Sequence, residues 1–98
     1  MIVVIARFEA KKGQRDKVVA LAAPCIEATR KEAGCVSYEL MLNTECAEAL
    51  VFVERWESRA ALDAHAKTAH LAAFKDARAP YVEGPSRLTL FEATELEG

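Results

Sequence analysis

The chain reads as a single α+β domain of the ferredoxin-like type, β-α-β-β-α-β, with a four-stranded antiparallel sheet. Three observations lead there. Runs rich in β-branched and aromatic residues alternate with runs of helical periodicity in that order. Two of the β-prone runs are joined by one short polar link, which makes them an antiparallel hairpin. The 98 residues are enough for one domain, 1–98, and no shift in composition divides them.

The first strand is Ile2 to Glu9, opened by Ile2, Val3, Val4 and Ile5. Its start is apolar on both faces, as in a strand covered on both sides. Lys11-Lys12-Gly13-Gln14 makes the turn, with Gly13 as the breaker. Gln14 to Ala33 reads as a helix, because Val18, Leu21, Ala22, Cys25 and Thr29 fall on one stripe that Val19 and Ile26 widen. Gly34 is its stop, and Pro24 should bend it near Ala20.

Cys35 to Asn43 is the second strand, with Val36, Tyr38, Leu40 and Leu42 on one face and Ser37, Glu39 and Met41 on the other. After a polar turn, Ala49 to Glu57 is the third. Leu50, Phe52, Glu54 and Trp56 share one face; Val51, Val53 and Arg55 share the other. Ser58 caps a helix from Arg59 to about Lys67, and Thr68 caps a short third one to about Arg78. Pro80, Gly84 and Pro85 end it. Arg87 to Glu95 is the last strand, and the acidic tail should fray.

Helices cover one face of such a sheet, yet several strands carry apolar side chains on both. With 52% apolar residues in so short a chain, a second copy is the simple cover for the open face. The net charge of −2 comes from 13 basic and 15 acidic residues that are interspersed, which leaves no footprint for nucleic acid or an anionic membrane. No run is long enough to span a membrane. Cys25, Cys35 and Cys46 form no C-x-x-C pair, and their odd number argues against a disulfide framework or a zinc site. A reducing, cytoplasmic setting fits, and Met1 to Phe8 is too short for a signal sequence and carries Arg7. Gly-rich phosphate loops and nucleophile motifs are absent, so no nucleotide or flavin cofactor is expected.

His65 is the best candidate for chemistry. A free imidazole titrates near ~6.5, so it can take and return a proton near neutral pH. Its structural alternative is a buried histidine bonded to a carboxylate such as Glu54. Trp56 shares a strand face with Glu54 and Phe52 and is either a pocket wall or a plug for a small core. Glu54 on that face needs a partner, with His65, Arg7 or Arg87 the candidates. His70 follows His65 by five residues and is either a second pocket residue that binds substrate or a surface side chain. On one continuous helix the two would stand about 140° apart and could not share a metal, unless a break near Thr68 intervened. No metal is expected. Tyr38, Phe52, Phe74 and Tyr81 are candidate substrate-binding pocket aromatics, with core packing as the alternative.

Phe52-Val53-Glu54-Arg55-Trp56-Glu57-Ser58, then Ala61-Leu62, then His65-Ala66-Lys67-Thr68-Ala69-His70 with Phe74 beyond, resembles the signature of the antibiotic biosynthesis monooxygenase family. That pattern is an aromatic-x-Glu-x-Trp strand end, an Ala-Leu helix and His-x-x-Thr/Ser-x-His. Gly34-Cys35-Val36-Ser37-Tyr38 resembles the family's Gly-x-x-x-Tyr. The resemblance implies a homodimer whose sheets face each other as a barrel, with a pocket between sheet and helices in each subunit. It places His65 facing that pocket. It also implies a choice of chemistries: cofactor-free oxygenation of a small electron-rich aromatic with O2, acid–base isomerisation of a small metabolite, or heme degradation. The heme-degrading relatives carry a tryptophan near the position of His65 and an iron-binding histidine near that of Lys75; both departures count against heme. A non-catalytic small-molecule-binding dimer is the remaining alternative.

Overall fold

A computed structural model describes all 98 residues. The elements are β1 (Ile2–Ala10), α1 (Arg15–Thr29), β2 (Cys35–Leu42), β3 (Ala49–Trp56), α2 (Arg59–His65), α3 (Ala69–Arg78), a 3-10 turn (Ala79–Tyr81) and β4 (Val82–Glu92). The strands form one antiparallel sheet in the order β2-β3-β1-β4. This is the expected ferredoxin-like α+β arrangement, with the second helical unit split in two. No helix is long and apolar enough to cross a membrane.

Strand pleating decides which side chains meet. Ile2, Val4, Ala6, Phe8 and Ala10 of β1 point to the helices and are buried. Antiparallel register sets them opposite Trp56, Glu54, Phe52 and Leu50 of β3, on the same face. From the other side Val18, Ala22 and Cys25 of α1 and Phe74 of α3 close the core. Trp56 has no exposed surface. On the open face Val3, Ile5, Val51 and Val53 are only half-covered, and Phe91 is 50% exposed.

Three expectations need correction. Helix α1 stops at Thr29, not Ala33, and a hydrogen-bonded turn fills the gap: Glu32 N–H donates to the Thr29 carbonyl and Cys35 N–H to that of Glu32. Val36 does not share a face with Tyr38. The register slips between Cys35 and Ser37, and this irregularity leaves Val36 exposed while Tyr38 is buried. Strand β4 starts at Val82 and ends at Glu92, not Arg87 to Glu95. It runs through Gly84 and Pro85 because an edge strand tolerates proline, and its register against β1 shifts there. As expected, α1 continues through Pro24 as one element from Arg15 to Thr29.

Gly34 holds the turn that joins α1 to the sheet. Its φ of +82° is a left-handed conformation, and an added Cβ would lie 2.6 Å from Cβ of Ala61. Its carbonyl also accepts the Glu57 N–H at 2.8 Å, which ties the turn to the end of β3. Gly34→Ala should therefore combine backbone strain with a clash against α2. We expect a loss of about 2–5 kcal/mol in urea unfolding; an unchanged midpoint would show that the turn yields freely.

Candidate active site

The end of β3 places Glu54 and Trp56 on the helix-facing side, two residues apart. Trp56 Nε1–H donates to Glu54 Oε1 at 3.0 Å. The sequence left Glu54 to pair with His65, Arg7 or Arg87; its hydrogen-bond partner is instead the indole of its own strand. Glu54 is only 5% exposed. Burial pushes its carboxyl above the usual carboxylate range; the Trp56 N–H and nearby His65 oppose this, and Glu32 adds to it.

His65 is the last residue of α2 and is 4% exposed. Its ring lies 4.8 Å from that of Trp56 and 5.3 Å, edge-on, from that of Tyr38. Tyr38 in turn packs 5.0 Å from Phe52, and Phe52 lies 6.0 Å from Phe74 and 5.7 Å from Phe8. The structure thus gathers His65, Glu54, Trp56, Tyr38, Phe52 and Phe74 into one continuous cluster. Burial raises the Tyr38 hydroxyl's hold on its proton far above the ordinary phenol range, with the Glu54 charge adding to it. Tyr81 stands apart: it sits in the 3-10 turn beside the far end of β1, with Lys17 Nζ 5.6 Å over its ring. It is not part of the cluster.

The carboxylate that holds His65 is Glu32. Its Oε2 lies 2.7 Å from Nδ1 of His65 and 2.8 Å from Nε2 of His70. A carboxylate only accepts, so both ring nitrogens carry hydrogen and donate. His65 is thereby left with Nε2 as its lone-pair nitrogen. This convergence depends on the helix break. Residues 66–68 leave the helical path between α2 and α3, and Thr68 Oγ1 donates to the His65 carbonyl at 2.8 Å while accepting the Leu71 N–H in the first turn of α3. The spacing argument that separated the two histidines required a continuous helix, which the chain does not form.

Two members of the site were not legible from motifs. Glu32 lies 33 residues before His65 and was read as part of a long first helix. Only its place just ahead of Gly34, in a turn facing the second helical unit, hints at its part. Arg78, in the last turn of α3, points inward. Its guanidinium carbon is 4.7 Å from the Phe8 ring and 4.9 Å from that of Phe74, and one nitrogen donates to Ser86 Oγ at 3.1 Å. Burial pulls its affinity for the proton down, against Tyr38 and Cys25. Three of the surface clefts are lined respectively by residues such as Arg7 and Arg87, Val19 and Leu40, and Ser37 and Glu39; none of these three includes His65, Glu54 or Trp56. The cluster reaches solvent where His70 and Glu32 stand, whose side chains are 26% and 13% exposed.

Comparison with known proteins places this geometry. Residues 1–77 match the model of the family described as antibiotic biosynthesis monooxygenase. The chain belongs to that family. "Uncharacterized protein sll1783" of Synechocystis is 28% identical over 96 residues, which cover 98% of this chain and 65% of that protein. "Putative monooxygenase Rv0793" of Mycobacterium tuberculosis is 42% identical over 69 residues, or 70% of this chain and 67% of that one. The solved structure of Rv0793 superposes with a TM-score of 0.87 and 31% identity, covering 99% of this chain and 98% of that chain. "Probable quinol monooxygenase YgiN" of Escherichia coli is 34% identical over 87 residues, covering 79% of this chain and 84% of that protein. The chain thus spans about two thirds of the length of the first two curated relatives.

The Glu54 carboxyl offers a test of burial. Its folded affinity for a proton exceeds the unfolded one, so its contribution to stability is full below the unfolded value, about 4.3, and is lost as pH rises through the folded one. Glu54→Gln keeps an acceptor for the Trp56 N–H and removes the charge. Its melting temperature relative to the parent protein should therefore rise between about pH 4 and pH 8; a flat difference would mean that Glu54 ionises without penalty.

Proposed function

We propose that this protein is a cofactor-independent monooxygenase that oxidises a small electron-rich aromatic, of quinol, phenol or anthrone type, with O2. The observation that carries the reading is the 2.7 Å bond from His65 Nδ1 to Glu32, beside the rings of Trp56 and Tyr38. It holds the imidazole in one tautomer, with Nε2 free to take a proton, and lets Glu32 stabilise the imidazolium that results. His65 is the catalytic base in this scheme.

The chemistry balances without a cofactor. His65 removes the acidic proton of the substrate. The electron-rich anion passes one electron to O2, and the resulting pair recombines as a carbon-bound hydroperoxide. Loss of the remaining proton on that carbon breaks the O–O bond, so one oxygen stays as a carbonyl and the other leaves as water. The substrate supplies all four electrons. Glu54, which burial biases toward its protonated form, is the donor for the departing oxygen. Phe52, Phe74 and Trp56 supply apolar walls, and Arg78 the positive charge that the anion needs.

A second reading, isomerisation of a small polar metabolite by the same histidine, draws support from one observation: an inward arginine, Arg78, between Phe8 and Phe74. We favour the oxygenase because that guanidinium is the only cation set among the aromatic rings of the cluster. A homodimer belongs to the proposal: a second copy would cover Val3, Ile5, Val51, Val53 and Phe91, which a lone chain leaves uncovered or half-covered.

Oxygen uptake by chelator-treated protein against a panel of quinols and anthrones tests the reaction. Uptake should exceed autoxidation and fall by about 100-fold or more in His65→Ala, the usual worth of a general base, with a smaller loss in Glu32→Gln. Isomerisation without uptake would move the assignment to the second reading, and ligand binding without turnover would make the protein a binding module. In sedimentation, a species of twice the chain's 10.8 kDa is expected; a monomer at micromolar concentration would remove the dimer.

A further inference from the structure

The geometry points to a divalent transition-metal site formed by Glu32, His65 and His70, suited to an ion of the Zn2+ or Co2+ kind. The three residues each present one ligand atom, and these atoms lie within 4.8 Å of one another. Two imidazoles and a carboxylate are the borderline donors that such ions favour. The three come from separate elements: the turn after α1, the end of α2 and the first turn of α3. Each is held independently. The turn carrying Glu32 is closed by its own hydrogen bonds, His65 is packed on Trp56 and Tyr38, and His70 rides on a helix whose start Thr68 caps. A site of this kind also needs an open position for water. The exposed fraction of His70 and Glu32, 26% and 13%, provides that edge.

Charge points the same way. The ion pairs of Glu32 are with these two imidazoles alone; no lysine or arginine neutralises it. With neutral imidazoles the cluster carries a full negative charge that a cation would balance.

Distances set how the ion would enter. Bond lengths of about 2.0–2.1 Å around a tetrahedral ion place its ligand atoms roughly 3.4 Å apart. The present separations of 2.7 and 2.8 Å are those of hydrogen bonds. Each imidazole nitrogen must therefore draw back by a few tenths of an ångström and give up its hydrogen. A neutral His65 imidazole that binds the ion through Nδ1 carries its hydrogen on Nε2, and that hydrogen occupies the lone pair that the oxygenase reading assigns to the base. Metal loading and base catalysis then exclude each other, and the ion acts as an inhibitor. Binding itself does not depend on that reading.

The test is direct titration of the full, chelator-treated chain with Zn2+ by calorimetry and with Co2+ by absorption, in the absence of any substrate. We expect one ion per chain, ligand-field bands of a four- or five-coordinate Co2+, and weaker binding at acid pH as the imidazoles protonate. His70→Ala and Glu32→Gln should each weaken binding by more than the roughly 10-fold that even an outer hydrogen-bond partner is worth at such sites. Cys46→Ser should leave it unchanged, since Cys46 is the exposed thiol that could capture the ion instead. Melting curves of both ligand variants establish that they fold. Absence of saturable binding, or equal affinity in folded His70→Ala and the parent, would overturn the site. Oxygen uptake can fail while binding stands, so the two readings are separable.

Discussion

One carboxylate organises the functional end of this protein. Glu32 accepts from His65 and His70 together, and in doing so it joins three parts of the chain that have no local reason to meet. The bond to His65 fixes a tautomer, the bond to His70 draws α3 toward the turn after α1, and the pair stands between the aromatic core and solvent. A buried histidine without such a partner would leave a polar nitrogen to be desolvated at a cost of about 1–3 kcal/mol. Here every sealed side-chain nitrogen and oxygen has a partner.

The break between α2 and α3 is what makes that convergence possible. Thr68 does two jobs there: its hydroxyl donates back to the His65 carbonyl and accepts the Leu71 N–H in the first turn of α3. A continuous helix would have turned the two imidazoles away from each other. Gly34 has a matching part on the other side. Its left-handed backbone lets the chain turn directly out of α1 into β2, and its missing side chain leaves room for Ala61 of α2. Capping and turn chemistry, more than helix propensity, position the acid–base groups.

The core and the candidate site are the same set of side chains. Trp56, Tyr38, Phe52 and Phe74 are nearly or fully buried; Tyr38 and Trp56 pack on His65, and Phe52 and Phe74 continue the same cluster. The two roles that the sequence set against each other, core packing and site lining, therefore coincide in this fold. The Trp56 indole N–H meets the Glu54 carboxyl inside that buried cluster, and electrostatic effects on a proton transfer are larger in such an interior than in water.

By itself the sequence determined the layered α+β architecture, the hairpin, the caps at Ser58 and Thr68, and the shared face of Phe52, Glu54 and Trp56. Those features are written in periods of two and 3.6 residues and in local hydrogen bonding, which need no distant partner. It also carried His65 and the family through one contiguous motif. The tertiary structure alone decided the partners: Trp56 for Glu54, Glu32 for both histidines, Phe8 and Phe74 for Arg78, and the place of Tyr81 away from the cluster. It also decided where α1 stops and where β4 starts, since a turn and an edge strand are settled by what packs beside them. Contacts between residues more than thirty positions apart have no periodic signature along the chain. They arise only when sheet register and helix packing bring separate elements to one point.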